Sequence, residues 1–243
     1  MLSLVEQEKE QKQLLRLCEK TPFGCKIAGI ALAYGFDKGF SCFWVDTESD
    51  TVFCQSDGLM VISGTVLHVE ETKEFLRAVG PQAILCAVRN AEALSLPVSD
   101  SGDVLKKQTK PGEEAFFDPY VVNIREIFGL LEETGMLEEF EPFYLDLSHK
   151  LRHKAALVLT EYSGSELSGC ALVSSISKEA AVLSALAVAP GFRRQGIGSG
   201  LVRRVESCFP GKTLYVFREK EKNQEFYKKL GYVKTDTWVY SQK

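Results

Sequence analysis

Leu186-Ala187-Val188-Ala189-Pro190-Gly191-Phe192-Arg193-Arg194-Gln195-Gly196-Ile197-Gly198-Ser199-Gly200-Leu201 passes from an apolar strand through a proline break into a glycine-rich turn with two arginines, and then into a helix. Glycine lets a backbone approach a ligand closely, and the first turn of a helix carries N–H groups without intrahelical partners. This order of residues therefore predicts a cradle for a diphosphate. The helix is read from its period: Ile197, Leu201, Val205 and Cys208 share a face with Val202, while Arg203, Arg204 and Glu206 take the other, and Pro210-Gly211 stops it.

Two other phosphate motifs are excluded by spacing. A P-loop ends in Gly-Lys-Ser/Thr, which the chain lacks. A dinucleotide fingerprint needs Gly-x-Gly-x-x-Gly and an acidic residue about 20 positions on. Gly196, Gly198 and Gly200 are spaced differently, and no strand-end carboxylate follows at the required place.

Val188, Pro190, Arg193, Gly196 and Gly198 resemble, position by position, the acetyl-CoA signature of the GNAT superfamily of N-acetyltransferases, Val-x-Pro followed by Arg/Gln-x-x-Gly-x-Gly/Ala. Downstream, Asn223-Gln224-Glu225-Phe226-Tyr227-Lys228-Lys229-Leu230-Gly231-Tyr232 is similar to that family's second block, a helix ending in Phe-Tyr-x-x-x-Gly-Phe/Tyr. The resemblance implies acetyl-CoA as donor, held by Leu186, Ala187, Val188, Arg193, Arg194, Gln195, Gly196, Ile197, Gly198 and Ser199, with Asn223, Phe226 and Tyr227 added from the second block. The family often has an asparagine seven residues before the tyrosine. Here that place is Lys220, and Asn223 stands four before, where it also reads as a helix N-cap.

Acyl transfer to an amine needs a polarised thioester carbonyl, a neutral amine and a proton for the departing thiolate. The resemblance implies that a splayed strand ending at Ala187-Val188 offers backbone N–H groups to the developing oxyanion, which makes Val188 a catalytic backbone position. It also implies that Tyr227 bonds and protonates the CoA sulfur; a phenol with a pKa of about 10 is protonated at neutral pH. Phe226 and Leu230 also serve to pack the helix. Many relatives use a glutamate on the strand before the cradle as base, but Ala180-Ala181-Val182-Leu183-Ser184-Ala185 has no carboxylate. Glu161, Glu179, His149 and His153 stay open for that role. The i, i+4 spacing of His149 and His153 imitates half a metal site without an acidic or cysteine partner nearby, so no metal is expected. Phe143, Tyr144 and Trp238 are candidates either for the acceptor pocket or for the core.

Charge is uneven. Between Pro190 and Lys234 eleven Lys/Arg face four Glu, a local +7 that leaves −11 for the rest of a chain whose net charge is −4. That acidic remainder repels a nucleic-acid backbone, whereas a small polyanion such as CoA suits a basic segment, so no nucleic-acid partner is expected. No stretch approaches the roughly 20 apolar residues of a membrane span, and the acidic start Met-Leu-Ser-Leu-Val-Glu-Gln-Glu-Lys-Glu is unlike a signal peptide. The expected location is cytoplasmic with no membrane partner. The seven cysteines, an odd number without a Cys-x-x-Cys pair, read as reduced core residues. The expected partner is a small-molecule amine, and a homodimer is compatible with the sequence.

The expected fold class is α+β (mixed α/β), with a GNAT-like acetyltransferase fold in the C-terminal half and a smaller α+β N-terminal lobe. The lobe is placed at 1–100, a polar linker at 101–112 within Ser99 to Gly112, and the acetyl-CoA-binding catalytic domain at 113–243. In the lobe, a helix is expected at Leu4 to Cys18, then apolar runs at Ile27 to Leu32, Phe40 to Val45, Val52 to Gln55 and Leu59 to Ile62, a helix near Glu70 to Val79 and a strand at Ala83 to Ala87. The order suggests a degenerate acetyltransferase-like half covering one side of the acceptor site. In the C-terminal half, a helix capped by Asp118-Pro119 and ending near Gly135 and a second around Phe143 to Arg152 precede strands at Ala155 to Glu161, Gly169 to Ile176 and Ala180 to Val188. After the cradle helix come a strand at Thr213 to Phe217, a helix at Lys222 to Leu230 and a strand near Thr235 to Tyr240. Two functions fit: an acetyl-CoA-dependent N-acetyltransferase acting on a primary amine by direct attack in a ternary complex, or a non-catalytic acyl-CoA-binding sensor or scaffold.

Overall fold

The computed structural model describes residues 2–112, 122–219 and 222–242. The first half runs β1 (Leu2–Leu4), α1 (Glu8–Cys18), α2 (Pro22–Tyr34), β2 (Ser41–Asp46), β3 (Thr51–Ser56), β4 (Leu59–Ser63), α3 (Val69–Val79), β5 (Ala83–Ala87), α4 (Val88–Leu94) and β6 (Asp100–Gln108). The second runs α5 (Ile124–Glu133), α6 (Phe140–Arg152), β7 (Leu157–Ser163), β8 (Glu166–Ile176), β9 (Ala180–Val188), a 3-10 turn (Pro190–Phe192), α7 (Ile197–Ser207), β10 (Thr213–Glu219), α8 (Gln224–Lys229) and β11 (Val233–Gln242). From α1 onward the two halves repeat one order: two helices, three strands, helix, strand, helix, strand. In each, the third and fourth strands are parallel neighbours, β4 with β5 and β9 with β10. No described helix is long and apolar enough to cross a membrane.

The chain packs into two compact units, Met1–Lys106 with Phe217–Lys243, and Lys107–Val216. In the first, strands lie in the order β1-β2-β3-β4-β5-β11-β6, so the last strand of the second repeat is inserted between the last two of the first, antiparallel to both. Its core includes Phe53, Met60, Ile62, Leu76, Cys86 and Val239. In the second, the order is β10-β9-β8-β7, and α5 and α6 bury Ile127, Leu131, Leu147 and Leu151 against Val158, Cys170, Leu172 and Ala187. One boundary between the compact units thus falls within 101–112, and α8 and β11 belong to the same unit as the N-terminal lobe.

The strands from β2 to β5 and helix α3 lie where apolar runs predict them, the run Ile27 to Leu32 resolves as helix, and the expectations of a helix from Leu4 and of a linker at 101–112 are corrected. The helix expected from Leu4 starts at Glu8, because Leu2–Leu4 pairs with β2 and the Glu10 carboxylate accepts the Gln7 N–H at 2.9 Å, turning the chain into α1. The run Ile27 to Leu32 lies within α2, begun by the Thr21 hydroxyl accepting the Gly24 N–H at 2.8 Å and by Pro22 in the first turn. A Cβ on Gly24 would meet the Cys18 carbonyl at 2.2 Å, so glycine sets how closely α2 approaches the end of α1. The polar stretch at 101–112 contains most of β6, and three of its polar side chains have protein partners. Asp103 pairs with Lys234 at 2.6 Å, Lys107 with Glu206 at 2.7 Å, and the Thr109 hydroxyl donates to the Lys212 carbonyl at 2.9 Å.

In the second half, α5 is capped by Asn123, whose side chain accepts from the Arg125 N–H at 3.2 Å. The cap expected at Asp118-Pro119 lies outside the described residues. Helix α6 starts at Phe140, where Phe140, Phe128 and Phe143 stack, one turn before the expected start. All seven cysteines are free thiols, six of them buried and Cys42 exposed.

Candidate active site

Strand β9 carries the chain into the turn, and its pairing changes along its length. It pairs with β10 from Ala180 to Leu183 only, the last pair being Val216 with Leu183, while on the other side it stays paired with β8 as far as Val188. From Ser184 onward, β9 therefore has an edge that β10 does not pair. Backbone groups on such an edge need water or a ligand as partner. Leu186 and Val188 are half-buried there, whereas Ala187 points into the α5/α6 core.

The chain leaves β9 at Ala189, whose N–H donates to the Ser168 carbonyl at 3.0 Å, and the 3-10 turn closes with Phe192 N–H on the Ala189 carbonyl at 2.9 Å. Arg193 then ties the turn back to the strand, its Nε donating to the Val188 carbonyl at 3.1 Å, and the Gln195 side chain donates to the Gly191 carbonyl at 3.3 Å. Arg194 and Gly196 have φ of 62° and 86°, left-handed values of the kind found in anion-binding nests. Gly196 is also the N-cap of α7. The first N–H to close that helix is that of Gly200, on the Gly196 carbonyl at 2.9 Å, so Ile197, Gly198 and Ser199 supply the free donors of its first turn. Arg194 is exposed and makes no ion pair with a described residue. A turn with free donors and an uncompensated guanidinium fits a diphosphate.

Helix α7 holds this turn in place. Leu201, Val202 and Val205 are buried as expected, and α7 reaches β8 at Gly169, where a Cβ would come within 2.8 Å of the Ile197 Cγ2 and 3.1 Å of the Leu201 Cδ1. On the face opposite the apolar one, Glu206 is paired with Lys107, and Arg204 pairs with Glu161 at 2.8 Å. That contact engages one of the carboxylates open for the base. His149 and His153 lie ring on ring at the end of α6, with centroids 4.3 Å apart.

The second block lies in the other compact unit. Asn223 stands at the N-cap of α8 with φ of 56°, and its side chain makes no capping bond, unlike the capping reading of the sequence. Lys220, the place where the family often has asparagine, lies outside the described residues. The Tyr227 ring is buried edge-on to Phe226 at 5.0 Å and to Tyr232 at 5.5 Å, while its hydroxyl bonds to no described residue. Burial pushes the phenol up to about 12, against a smaller opposing pull from the Arg218 guanidinium. It stays a proton donor throughout the working range. Trp238, a candidate for the acceptor pocket, is buried, with its indole N–H donating to the Arg218 carbonyl at 3.1 Å. A Cβ on Gly102 would stand 2.7 Å from that indole nitrogen, so this part of β6 requires glycine.

The sequence alone does not single out the cluster around Arg218. The guanidinium is buried, bonds the Asp103 carboxylate and donates to the Lys222 carbonyl at 2.8 Å, and its Nε has no partner among the described residues. The bond to Lys222 ties down the residue before the α8 N-cap. Alternation along β10 would have shown Arg218 on an inward face, but nothing in its sequence neighbourhood names Asp103 as partner.

In the first half, the turn after β4 is the counterpart of the cradle and is filled from within. The buried Asn90 side chain accepts from the Val66 N–H at 3.1 Å and donates to the Gly64 carbonyl at 3.0 Å. Glu70 and Glu71 occupy the first turn of α3, where their charge opposes an anion. Of the two turns, the second alone presents two left-handed residues and an exposed arginine.

Residues 153–234 match the family model of the acetyltransferase (GNAT) domain. No curated protein matches the chain. Among solved structures, a tandem GNAT protein from the clavulanic acid biosynthesis pathway superposes with a TM-score of 0.57 at 13% identity, over 99% of this chain and 97% of that one. A GCN5-related N-acetyltransferase from Sphaerobacter thermophilus gives 0.61 at 13%, over 100% and 95%. A GNAT-family acetyltransferase from Colwellia psychrerythraea gives 0.57 at 12%, over the full length of both. At such identities the likeness is one of fold. It extends through the N-terminal lobe, which is GNAT-like as its element order suggested.

Proposed function

We propose that the GNAT domain makes this chain an acetyl-CoA-dependent N-acetyltransferase acting on a primary amine of a small molecule or an exposed amino group. The observation that carries the reading is the Arg193–Ser199 turn, with two left-handed residues, an Arg194 that pairs with no described residue and the free N–H groups of α7, inside the segment matched by the family model. When bound, acetyl-CoA supplies the activated thioester. The turn holds the diphosphate. The unpaired edge of β9 beyond Leu183 is suited to hydrogen-bond the amides of the donor's arm, and an N–H from Leu186 to Val188 to polarise the carbonyl. Tyr227 is the donor for the departing thiolate, consistent with a phenol held protonated by burial. Attack by the amine in a ternary complex needs no covalent enzyme intermediate.

The absence of a carboxylate along Ala180–Val188 favours the second reading, a module that holds acyl-CoA without chemistry. Release of free CoA thiol separates the two. With acetyl-CoA and a panel of primary amines, thiol is expected to appear in step with acetylated amine; binding of acetyl-CoA without turnover on any amine would establish the second reading.

A further inference from the structure

Strands β8 and β9 pair regularly from Gly169 with Val188 to Leu172 with Ala185, and then slip twice. Val173 faces Leu183, which leaves Ser184 as an extra residue on β9. Ser175 faces Val182, which leaves Ser174 as an extra residue on β8. Each strand thus carries one unpaired residue beside the Val173–Leu183 pair, both are serines, and their hydroxyls hydrogen-bond each other. The Ser184 side chain is exposed and its hydroxyl also reaches the Val182 carbonyl at 3.3 Å. Bulges re-aim side chains and are frequent beside active sites. These two coincide with the point where β9 leaves β10, since Leu183 is the last residue paired there. In the segment so freed, Ser184-Ala185-Leu186-Ala187-Val188, Ser184 has the one polar side chain.

We propose that Ser184, backed by Ser174, is the positioning residue for the acceptor amine, receiving its N–H through a water on the strand that otherwise has no ionisable group. The proposal rests on the acetyltransferase reading above. At about 3.3 Å per residue, Ser184 stands roughly 6.6 Å along β9 from Leu186, the span of one bridging water. A hydroxyl can accept and donate together, so the pair can take a proton from the amine side and pass one outward without becoming charged. In the balanced step the nitrogen lone pair forms the C–N bond and the C–S bond breaks. The proton lost by nitrogen leaves through water at Ser184 and Ser174 to solvent, and the thiolate takes one from Tyr227, which solvent restores. An alkylammonium with a pKa of about 10.4 must lose its proton before attack. With hydroxyls in place of a base, the enzyme leaves that ionisation to the acceptor itself.

The test is kcat/KM for the acceptor against pH, on the full chain with two amines of different pKa, for the native protein, Ser184→Ala, Ser174→Ala and Ser184→Thr. The expected native profile rises with unit slope to a break that moves with the amine. Ser184→Ala should lower kcat/KM about tenfold with acetyl-CoA affinity unchanged, Ser174→Ala should lower it less, and Ser184→Thr should keep most of it. A break fixed below pH 8 for both amines, or a Ser184→Ala effect under twofold, would overturn the proposal while leaving acetyl transfer standing. Acetyl-CoA binding without turnover on any amine would instead overturn the acetyltransferase reading, and the proposal with it.

Discussion

Tyr227→Phe is expected to lower kcat about 100-fold, the ordinary worth of a positioned general acid, while changing acetyl-CoA affinity less than threefold. The ring is buried against Phe226 and Tyr232, and phenylalanine keeps that packing. The hydroxyl bonds to no described residue, so its removal orphans no described protein group, and the melting temperature should stay within about 2 °C, the shift expected for a few tenths of a kcal/mol. Stability and chemistry therefore separate at this position. Because burial holds the phenol at about 12, the native profile should show no loss of activity from Tyr227 below pH 10. Stopped-flow measurement of the acyl-transfer step with calorimetric binding of acetyl-CoA decides it, and an unchanged kcat in the variant would remove the tyrosine from the chemistry.

Asp103→Ala is expected to cost about 3–5 kcal/mol of folding stability, as breaking one side of a buried ion pair does. Its carboxylate lies between the buried Arg218 guanidinium and the Lys234 ammonium, and the alanine would leave the buried Arg218 without its ion-pair partner among the described residues. Burial alone would raise the Asp103 carboxyl, but Lys234 and Arg218 outweigh it and hold it below the usual range. A carboxyl depressed in the folded state contributes stability that is complete above its unfolded pKa of about 3.9 and is lost as pH falls through the lower folded value. The gap between native and variant in denaturant titration should thus be full at pH 7 and narrow below pH 4. A variant within 0.5 kcal/mol of native at pH 7, on the scale of an exposed pair, would show that the pair is as weak as one on the surface.

The cradle was legible because its determinants are local: a strand, a proline, glycines at a fixed spacing and the start of a periodic helix lie within sixteen consecutive residues, and each constrains its neighbours. Tyr227 was legible for the same reason, within one short helix. The insertion of β11 between β5 and β6 was not, because which strand accepts another is decided by edges far apart in the chain. Asp103 illustrates the difficulty, since a polar residue between Gly102 and Val104 reads as linker until Arg218 and Lys234 are brought to it from more than a hundred residues away. The run Ile27 to Leu32 was ambiguous because a helix buried on all sides loses the period that would distinguish it from a strand. The two bulges leave no mark in sequence at all. Ser174 and Ser184 look like ordinary strand serines until the register shows each without an opposite residue.

Calorimetric titration of acetyl-CoA into the native chain and into Gly196→Val tests the central claim most directly. Gly196 has φ of 86° with no atom near the position of a Cβ, so valine there strains the turn by about 1–2 kcal/mol through its backbone without colliding with the core. The account predicts one acetyl-CoA per native chain, since the counterpart turn is closed by Asn90, with affinity that falls as salt rises, and at least tenfold weaker binding to a folded Gly196→Val. Equal affinity in the two proteins, or no binding to the native chain, would contradict it.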